Sequence, residues 1–245
     1  AKLGLGYSLI EIKNSITLAT KACFEPALDY IVVKIPRWDL QKFRKVKREI
    51  GSEMKSVGEV MAIGRNFEET LQKALRMLGT GMEGLVCNNL EFENLEKEIK
   101  EPTDERVFAI AEAMKKKFSI DKIHSLSKID KWFLYKIKNI IDTEKKVKKA
   151  KKISKLNKEV LIEAKQKGFS DKQIASLLKT DELSIRKHRK KLNVNPFVKQ
   201  IDTLAAEYPA KTNYLYLTYN AIESDVEPKE KKQVMVLGSG AYRIG

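Results

Sequence analysis

The sequence predicts an α+β fold, with a predominantly helical middle flanked by strand-containing segments. Three observations predict it. Two apolar runs, Tyr30–Ile35 and Gly58–Gly64, are closed by Pro36 and by glycines, as half-buried strands are. Between about residues 80 and 205, apolar residues recur every three to four positions behind Ser, Asp and Asn side chains, the pattern of capped amphipathic helices. Near the C-terminus, Tyr214-Leu215-Tyr216-Leu217-Thr218-Tyr219 alternates for most of its length with the period of a strand.

The elements follow in order. Ala1–Tyr7 reads as a helix tail running into a glycine stop. After the two strands, Asn66 is placed to cap a helix carrying Leu71, Ala74, Leu75 and Leu78 and ending at Gly79, with Glu69 in the return position of a capping box. Glu105–Lys117 puts Val107, Ile110, Ala111 and Met114 on one face, and Ser119 caps a short helix with Ile120, Ile123 and Leu126. Asp130 caps a longer helix with Trp132, Phe133, Ile137, Ile140 and Ile141 inward, running on into the lysine-rich stretch Lys145–Lys167. Gly168, Asn193–Pro196 and Tyr208-Pro209 are stops or turns, and Ala221–Lys232 reads as a linker. Val234-Met235-Val236-Leu237 then reads as a strand entering a glycine loop, the usual opening of an α/β domain. Such ends suggest a segment of a longer polypeptide.

Composition excludes several functions. In 245 residues, Lys+Arg number 48 against 33 Asp+Glu, a net charge of +15. That charge suits an anionic partner, although a lysine-rich solvated surface is the ordinary reading. Cys23 and Cys87 are too few for a disulfide scaffold, and with His124 and His188 too few for a Cys- or His-rich metal centre. No apolar run reaches the ~18 residues of a membrane span, and Ala1–Ser8 shows no secretory signal. No nucleophile–base pair is evident. His188 lies on a basic helix face and is expected to be solvated; His124 is expected to be structural. Trp38 and the tyrosines 208, 214, 216 and 219 are read as packing residues rather than a stacking platform.

Gly168–Leu192 carries the sharpest generic signal. A short helix from Ser170-Asp171, a turn at Lys179-Thr180-Asp181 and a second helix with Ile185, Arg186, Lys187, His188, Arg189, Lys190 and Lys191 is the outline of a DNA-reading helix-turn-helix, with Arg186 and Arg189 as the base readers. A free-standing DNA-binding protein is therefore the alternative reading, although any hairpin with a basic face looks alike.

A run of ordered motifs points elsewhere. Phe24-Glu25-Pro26, Lys34-Ile35-Pro36-Arg37, Met54-Lys55-Ser56-Val57-Gly58-Glu59-Val60-Met61-Ala62-Ile63-Gly64-Arg65, Ile129-Asp130-Lys131-Trp132-Phe133-Leu134, Gly168-Phe169-Ser170-Asp171-Lys172-Gln173-Ile174, Lys199–Glu207 and Val236–Gly245 stand in one order along the chain. Together they resemble the large subunit of carbamoyl-phosphate synthase, of the eukaryotic pyrimidine-pathway type. The resemblance spans essentially the whole chain and is weakest over 80–104 and 143–167.

This resemblance implies a parent with two ATP-grasp halves, one phosphorylating bicarbonate and one phosphorylating carbamate, joined by a tunnel and an oligomerization domain. Residues 1–79 would end the first half, 80–205 form the helical oligomerization domain, 206–232 connect, and 233–245 begin the second half. It implies no catalytic, cofactor-binding or metal-binding residue in this segment, while the parent uses ATP and Mg or Mn. Val57 and Glu59 match tunnel-lining positions; a simple pairing of Glu59 with a nearby arginine is the other reading. The implied partners are the rest of the synthetase, a glutaminase and further copies of the chain, with no membrane and no nucleic acid, in the cytoplasm. In the family the helix-turn-helix packs inside the helical domain.

Overall fold

The computed structural model describes all residues except 16, 26, 44, 203, 205–213, 227–233, 237 and 239–245. Strands β1 (Ile31–Arg37) and β2 (Gly58–Gly64) form an antiparallel pair with Val33 opposite Ala62 and Ile35 opposite Val60. Both strands form where expected, β1 running on through Pro36. The period-two alternation splits the ribbon. Val33, Ile35, Val60 and Ala62 face inward, while Val32, Lys34, Glu59 and Met61 face outward. Helix α1 (Phe67–Met77) covers the inner face with Leu71, Ala74 and Leu75.

Seven further helices follow: α2 (Leu95–Lys100), α3 (Arg106–Lys115), α4 (Ile120–Ser127), α5 (Lys131–Ala150), α6 (Lys158–Gln166), α7 (Asp171–Leu178) and α8 (Glu182–Lys191). All but α3 begin on a side-chain cap: Asn66, Asn94, Ser119, Asp130, Asn157, Ser170 and Asp181. Each cap satisfies an orphan N–H and stabilises its helix start by about 1 kcal/mol. This explains how so lysine-rich a chain is cut into defined helices. The bundle closes around Ile99, Ile110, Ile123, Leu134, Ile140, Leu161, Ile174 and Ile185, all fully buried, in one core continuous with that under β1–β2. A second antiparallel pair, β3 (Phe197–Gln200) and β4 (Leu215–Thr218), returns to lie against β2 through β4.

Four expectations need correction. Asn66 caps α1, but Glu69 does not return to it; its carboxylate is used elsewhere, as described below. The long helix enters the lysine-rich stretch but does not run through it. It stops at Ala150, with Lys151 at φ +59°, and restarts on Asn157. The break lets Leu156 and Leu161 turn into the core. Trp132 and Phe133 are not inward: they are 50% and 42% exposed and pack edge-to-face with Phe67. They occupy the first turn of α5, ahead of the face that Leu134 and Ile137 bury. The strand expected at Val234 is not formed over 234–236, where all three residues are exposed. A strand needs a neighbour to take its backbone hydrogen bonds, and no described residue pairs with it. Leu237, the glycine loop after Gly238, Tyr208-Pro209 and the end of the 221–232 linker lie outside the described residues.

Candidate functional site

The two residues expected to line a tunnel sit at the start of β2. Val57 is half-buried, and its N–H donates to the Arg37 carbonyl at 2.8 Å. Glu59 stands on the outer face of the ribbon, next to Met61, and pairs with Lys34 at 2.8 Å; both side chains are more than half exposed. Its partner is therefore a lysine, not the arginine of the alternative reading. Lys34 and Glu59 lie on adjacent strands two positions out of register, a diagonal pair on one face, where long side chains still reach each other.

A junction that sequence reasoning missed gathers at the first turn of α1. The Glu69 carboxylate is buried and accepts from the Arg65 N–H (3.1 Å), Thr218 Oγ1 (3.0 Å) and Asn220 Nδ2 (2.9 Å), with Lys73 Nζ at 2.7 Å. Asn220 Nδ2 also donates to the Gln166 carbonyl at 2.9 Å, as does Asn66 Nδ2 at 3.1 Å. One carboxylate and one amide thus tie the segment after β2, the end of α6 and the segment after β4. Glu68, equally buried, extends the tie: its Oε1 accepts from Asn139 of α5 at 2.8 Å and lies 3.3 Å from Lys167. Burial alone raises this carboxyl, but the Asn139 hydrogen bond and the Lys167 and Lys136 charges outweigh it and hold it below the usual range.

One turn further, Gln72 and Gln173 form a buried amide pair. Gln173 Nε2 donates to Gln72 Oε1 (2.9 Å) and to the Val86 carbonyl (3.2 Å), and Gln72 Nε2 donates to the Lys167 carbonyl (2.8 Å). Arg76 Nη1 donates to the carbonyls of Glu83 and Gly168 and to Gln173 Oε1. The sequence does hold a signal for these residues. Glu68, Glu69 and Gln72 flank the apolar stripe of α1 at positions a helix packed on two sides must bury, and buried polar side chains have partners.

The helix-turn-helix is present as α7 and α8, opened by a complete Ser170/Gln173 capping box. Part of its charge is spent inward. Lys165 Nζ contacts Asp171 at 2.8 Å and Arg189 Nε lies 3.3 Å from the same carboxylate, while Arg189 Nη1 donates to the Val194 carbonyl. Arg189 is 8% exposed, so one of the two expected base readers is closed to a DNA groove. Arg186 pairs with Glu182 at 2.8 Å. His188 is not solvated as expected: its Nε2 lies 2.9 Å from the Leu156 carbonyl, fastening α8 to the turn before α6. His124 is structural, its Nδ1 lying 2.7 Å from the Ile129 carbonyl.

Trp38 is half-buried and lines a cleft of about 590 Å³ between residues 36–48 and the helices. Of the tyrosines, Tyr216 is 8% exposed and Tyr214 71% exposed; Tyr208 lies outside the described residues. Burial pushes the Cys87 thiol up to about 12, leaving it unreactive. Among the described residues no three His, Cys, Asp or Glu side chains are grouped to hold a metal ion. No helix among them is long and apolar enough to cross a membrane.

Comparison with known proteins adds the following. The family described as carbamoyl-phosphate synthetase large chain, oligomerisation domain, matches residues 59–193. The chain is 54% identical over 246 residues to the arginine-specific carbamoyl phosphate synthase large chain, mitochondrial, of Neurospora crassa, covering 100% of this chain and 21% of that protein. It is 52% identical over 246 residues both to the multifunctional protein URA2 of Saccharomyces cerevisiae and to the multifunctional protein pyr1-3 of Dictyostelium discoideum, again over its whole length but only 11% of theirs. The chain thus spans between 11% and 21% of the length of these relatives.

Proposed function

The chain belongs to the carbamoyl-phosphate synthetase large-chain family, and from that premise we propose that it is the central segment of a carbamoyl-phosphate synthase, a ligase making carbamoyl phosphate from ATP, bicarbonate and glutamine-derived ammonia. Its role is to join the two ATP-grasp halves, hold them in register for transfer of the carbamate intermediate, and present an oligomerization surface. ATP and its metal belong to the halves outside this segment, and a glutaminase supplies the ammonia. The pyrimidine-pathway wording of the motifs favours a cytoplasmic parent; the mitochondrial location in the Neurospora relative's name is the alternative.

The observation that carries this reading is the Glu69 junction. Residues 65–69, leaving β2, and residues 218–220, leaving β4, are bound to one carboxylate across about 150 positions of sequence. A connector that must keep two catalytic halves in register needs such a fixed corner. Val57 and Glu59, at the opposite end of β2 from this corner, are proposed to line the transfer path, with Glu59 as a polar wall group.

The test uses the whole synthase carrying Thr218→Val with Asn220→Ala. Carbamoyl phosphate formation is expected to fall while bicarbonate-dependent ATP hydrolysis persists, because the halves still work but no longer pass the intermediate. Equal loss of both, or loss of neither, removes the register role. The isolated chain is expected to show no bicarbonate-dependent ATPase and to self-associate in light scattering. A saturable ATPase that copurifies with it, or a strict monomer at high concentration, counts against the proposal.

A further inference from the structure

The charge left at the α7–α8 hairpin is not absorbed by the connector role. Between α1, the α6–α7 turn, α8 and the end of β4 lies a cavity of about 330 Å³. Five cationic side chains line it: Lys73, Arg76, Lys165, Arg186 and Arg189, with the Tyr219 ring forming part of the wall.

The carboxylates within reach are fewer than the cations. Glu69 pairs with Lys73. Asp171 is shared by Lys165 and Arg189, with Arg186 Nε at 3.8 Å. Glu182 takes the outer side of Arg186. The hydrogen bonds of Arg76 run to neutral oxygens, those of Glu83, Gly168 and Gln173. The nearby Glu83 carboxylate turns instead to Lys172 at 2.5 Å. Five cations against Glu69, Asp171 and Glu182 leave a surplus of two positive charges around one recess.

Holding like charges together away from water is costly unless an anion joins them. The crowding is felt by Lys165: burial, together with the charges of Arg189 and Arg76, brings its ammonium down to about 8 although Asp171 opposes the shift. Three of the five cations are guanidiniums, whose planar forks match tetrahedral oxyanions. Lys165 and Arg189 also lie over the Tyr219 ring, at 5.1 and 5.8 Å from its centroid. The ring thereby holds both cations at one wall of the recess.

We propose that this cavity is a binding site for a small oxyanion of the phosphate type, either inorganic phosphate or a compact phosphomonoester, held by Arg76, Lys165, Arg186 and Arg189. It is independent of the transfer of carbamate and of the synthase reading. It also gives the basic face of the second helix a use that needs no DNA.

The test is calorimetric titration of the chain with inorganic phosphate at constant ionic strength, followed by amide NMR. Saturable binding of one phosphate is expected, with the Gly168, Phe169 and Ser170 amides shifting together. Arg186→Glu changes a half-exposed side chain at the mouth and is expected to weaken binding about tenfold or more, since a charge-assisted contact becomes a repulsion. Lys145→Glu, on exposed α5, serves as the control for bulk charge and should change affinity less than about twofold, as screening at a distance requires. Absence of saturation, an equal loss in both variants, or shifts spread over the lysine-rich surface instead of 168–170 overturns the proposal. If Arg186→Glu disturbs the fold by circular dichroism, Arg186→Gln is used with the same criteria.

Discussion

Replacing Gly168 with alanine should strike the centre of the connector. Gly168 ends α6 in a Schellman arrangement: its N–H donates to the Lys165 carbonyl and the Phe169 N–H to the Ala164 carbonyl, both at 3.0 Å. Its φ is +83°, and a Cβ placed there would stand 2.8 Å from Glu69 Cα and 2.9 Å from the Glu69 carbonyl oxygen. Both neighbours are α1 backbone, which cannot swing aside. The left-handed conformation costs about 1–2 kcal/mol for a residue with a Cβ, and overpacking adds about 1–3 kcal/mol. A loss of about 3 kcal/mol follows. At ~2–4 °C per kcal/mol for a chain of this size, Tm drops by about 10 °C. Gly81→Ala is the internal control, because Gly81 has φ +86° but nothing within 4 Å of its would-be Cβ. It should lose only the conformational part, about 1–2 kcal/mol. Thermal unfolding followed by far-ultraviolet circular dichroism measures both. Equal Tm values for the two variants would refute the claim that α1 and the α6–α7 turn are in backbone contact at Glu69.

Further predictions use the same protein. Asn66→Ala removes the α1 cap and the Nδ2 bond to the Gln166 carbonyl and should cost about 1–2 kcal/mol in urea unfolding. Glu59→Gln should change stability by less than about 1 kcal/mol, because its pair with Lys34 is solvent-exposed; any larger effect on coupling in the whole synthase then belongs to its position on the path and not to folding. Burial and neighbouring cations bring Lys165 down to about 8 from its ordinary 10.5, so above about pH 8 the folded state sheds a proton that the unfolded chain keeps, and this group raises stability as pH rises. Cys87, pushed up to about 12 from 9.0, acts in the opposite sense above pH 9. The rise should therefore be visible between pH 8 and 9 and absent in Lys165→Met, as Tm measured at both pH values will show. Duplex DNA binding at physiological salt should show no sequence preference, because Arg189 is committed to Asp171 and Val194; gel-shift competition against random duplex tests this.

What could be read from the sequence was what depends on neighbours in the chain. The strand runs at 31–37 and 58–64, the Asn66, Ser119, Asp130 and Ser170 caps and the α7–α8 hairpin all announce themselves within a few residues. The family, too, was legible, because its motifs are local strings in a fixed order. What depends on distant partners was not. Glu69 looked like the second half of a capping box, and only residues 149 and 151 positions away show why its carboxylate is held elsewhere. The inward turn of Leu156 hides inside a run of lysines, where periodicity is diluted by charge. The hydrophobicity of Trp132 and Phe133 points them to the core, but hydrophobicity does not fix where the buried face of a helix begins. Glu59 is placed on the ribbon by its register with β1, and Val57 just before it by its bond to the Arg37 carbonyl; their use depends on what faces that ribbon.

The Glu69 corner also decides how the molecule carries load. Tension applied between β2 and β4 passes from the Arg65 amide through one carboxylate to Thr218 and Asn220, a route only a few bonds long. Only α1, which carries Glu69, stands on that route; α2–α8 lie outside it, strung between its two ends like slack rope between two posts lashed together. A pull or twist on one strand therefore reaches the other without stretching the bundle. The surface of α2–α8 is left mechanically quiet while the two strands bear the load.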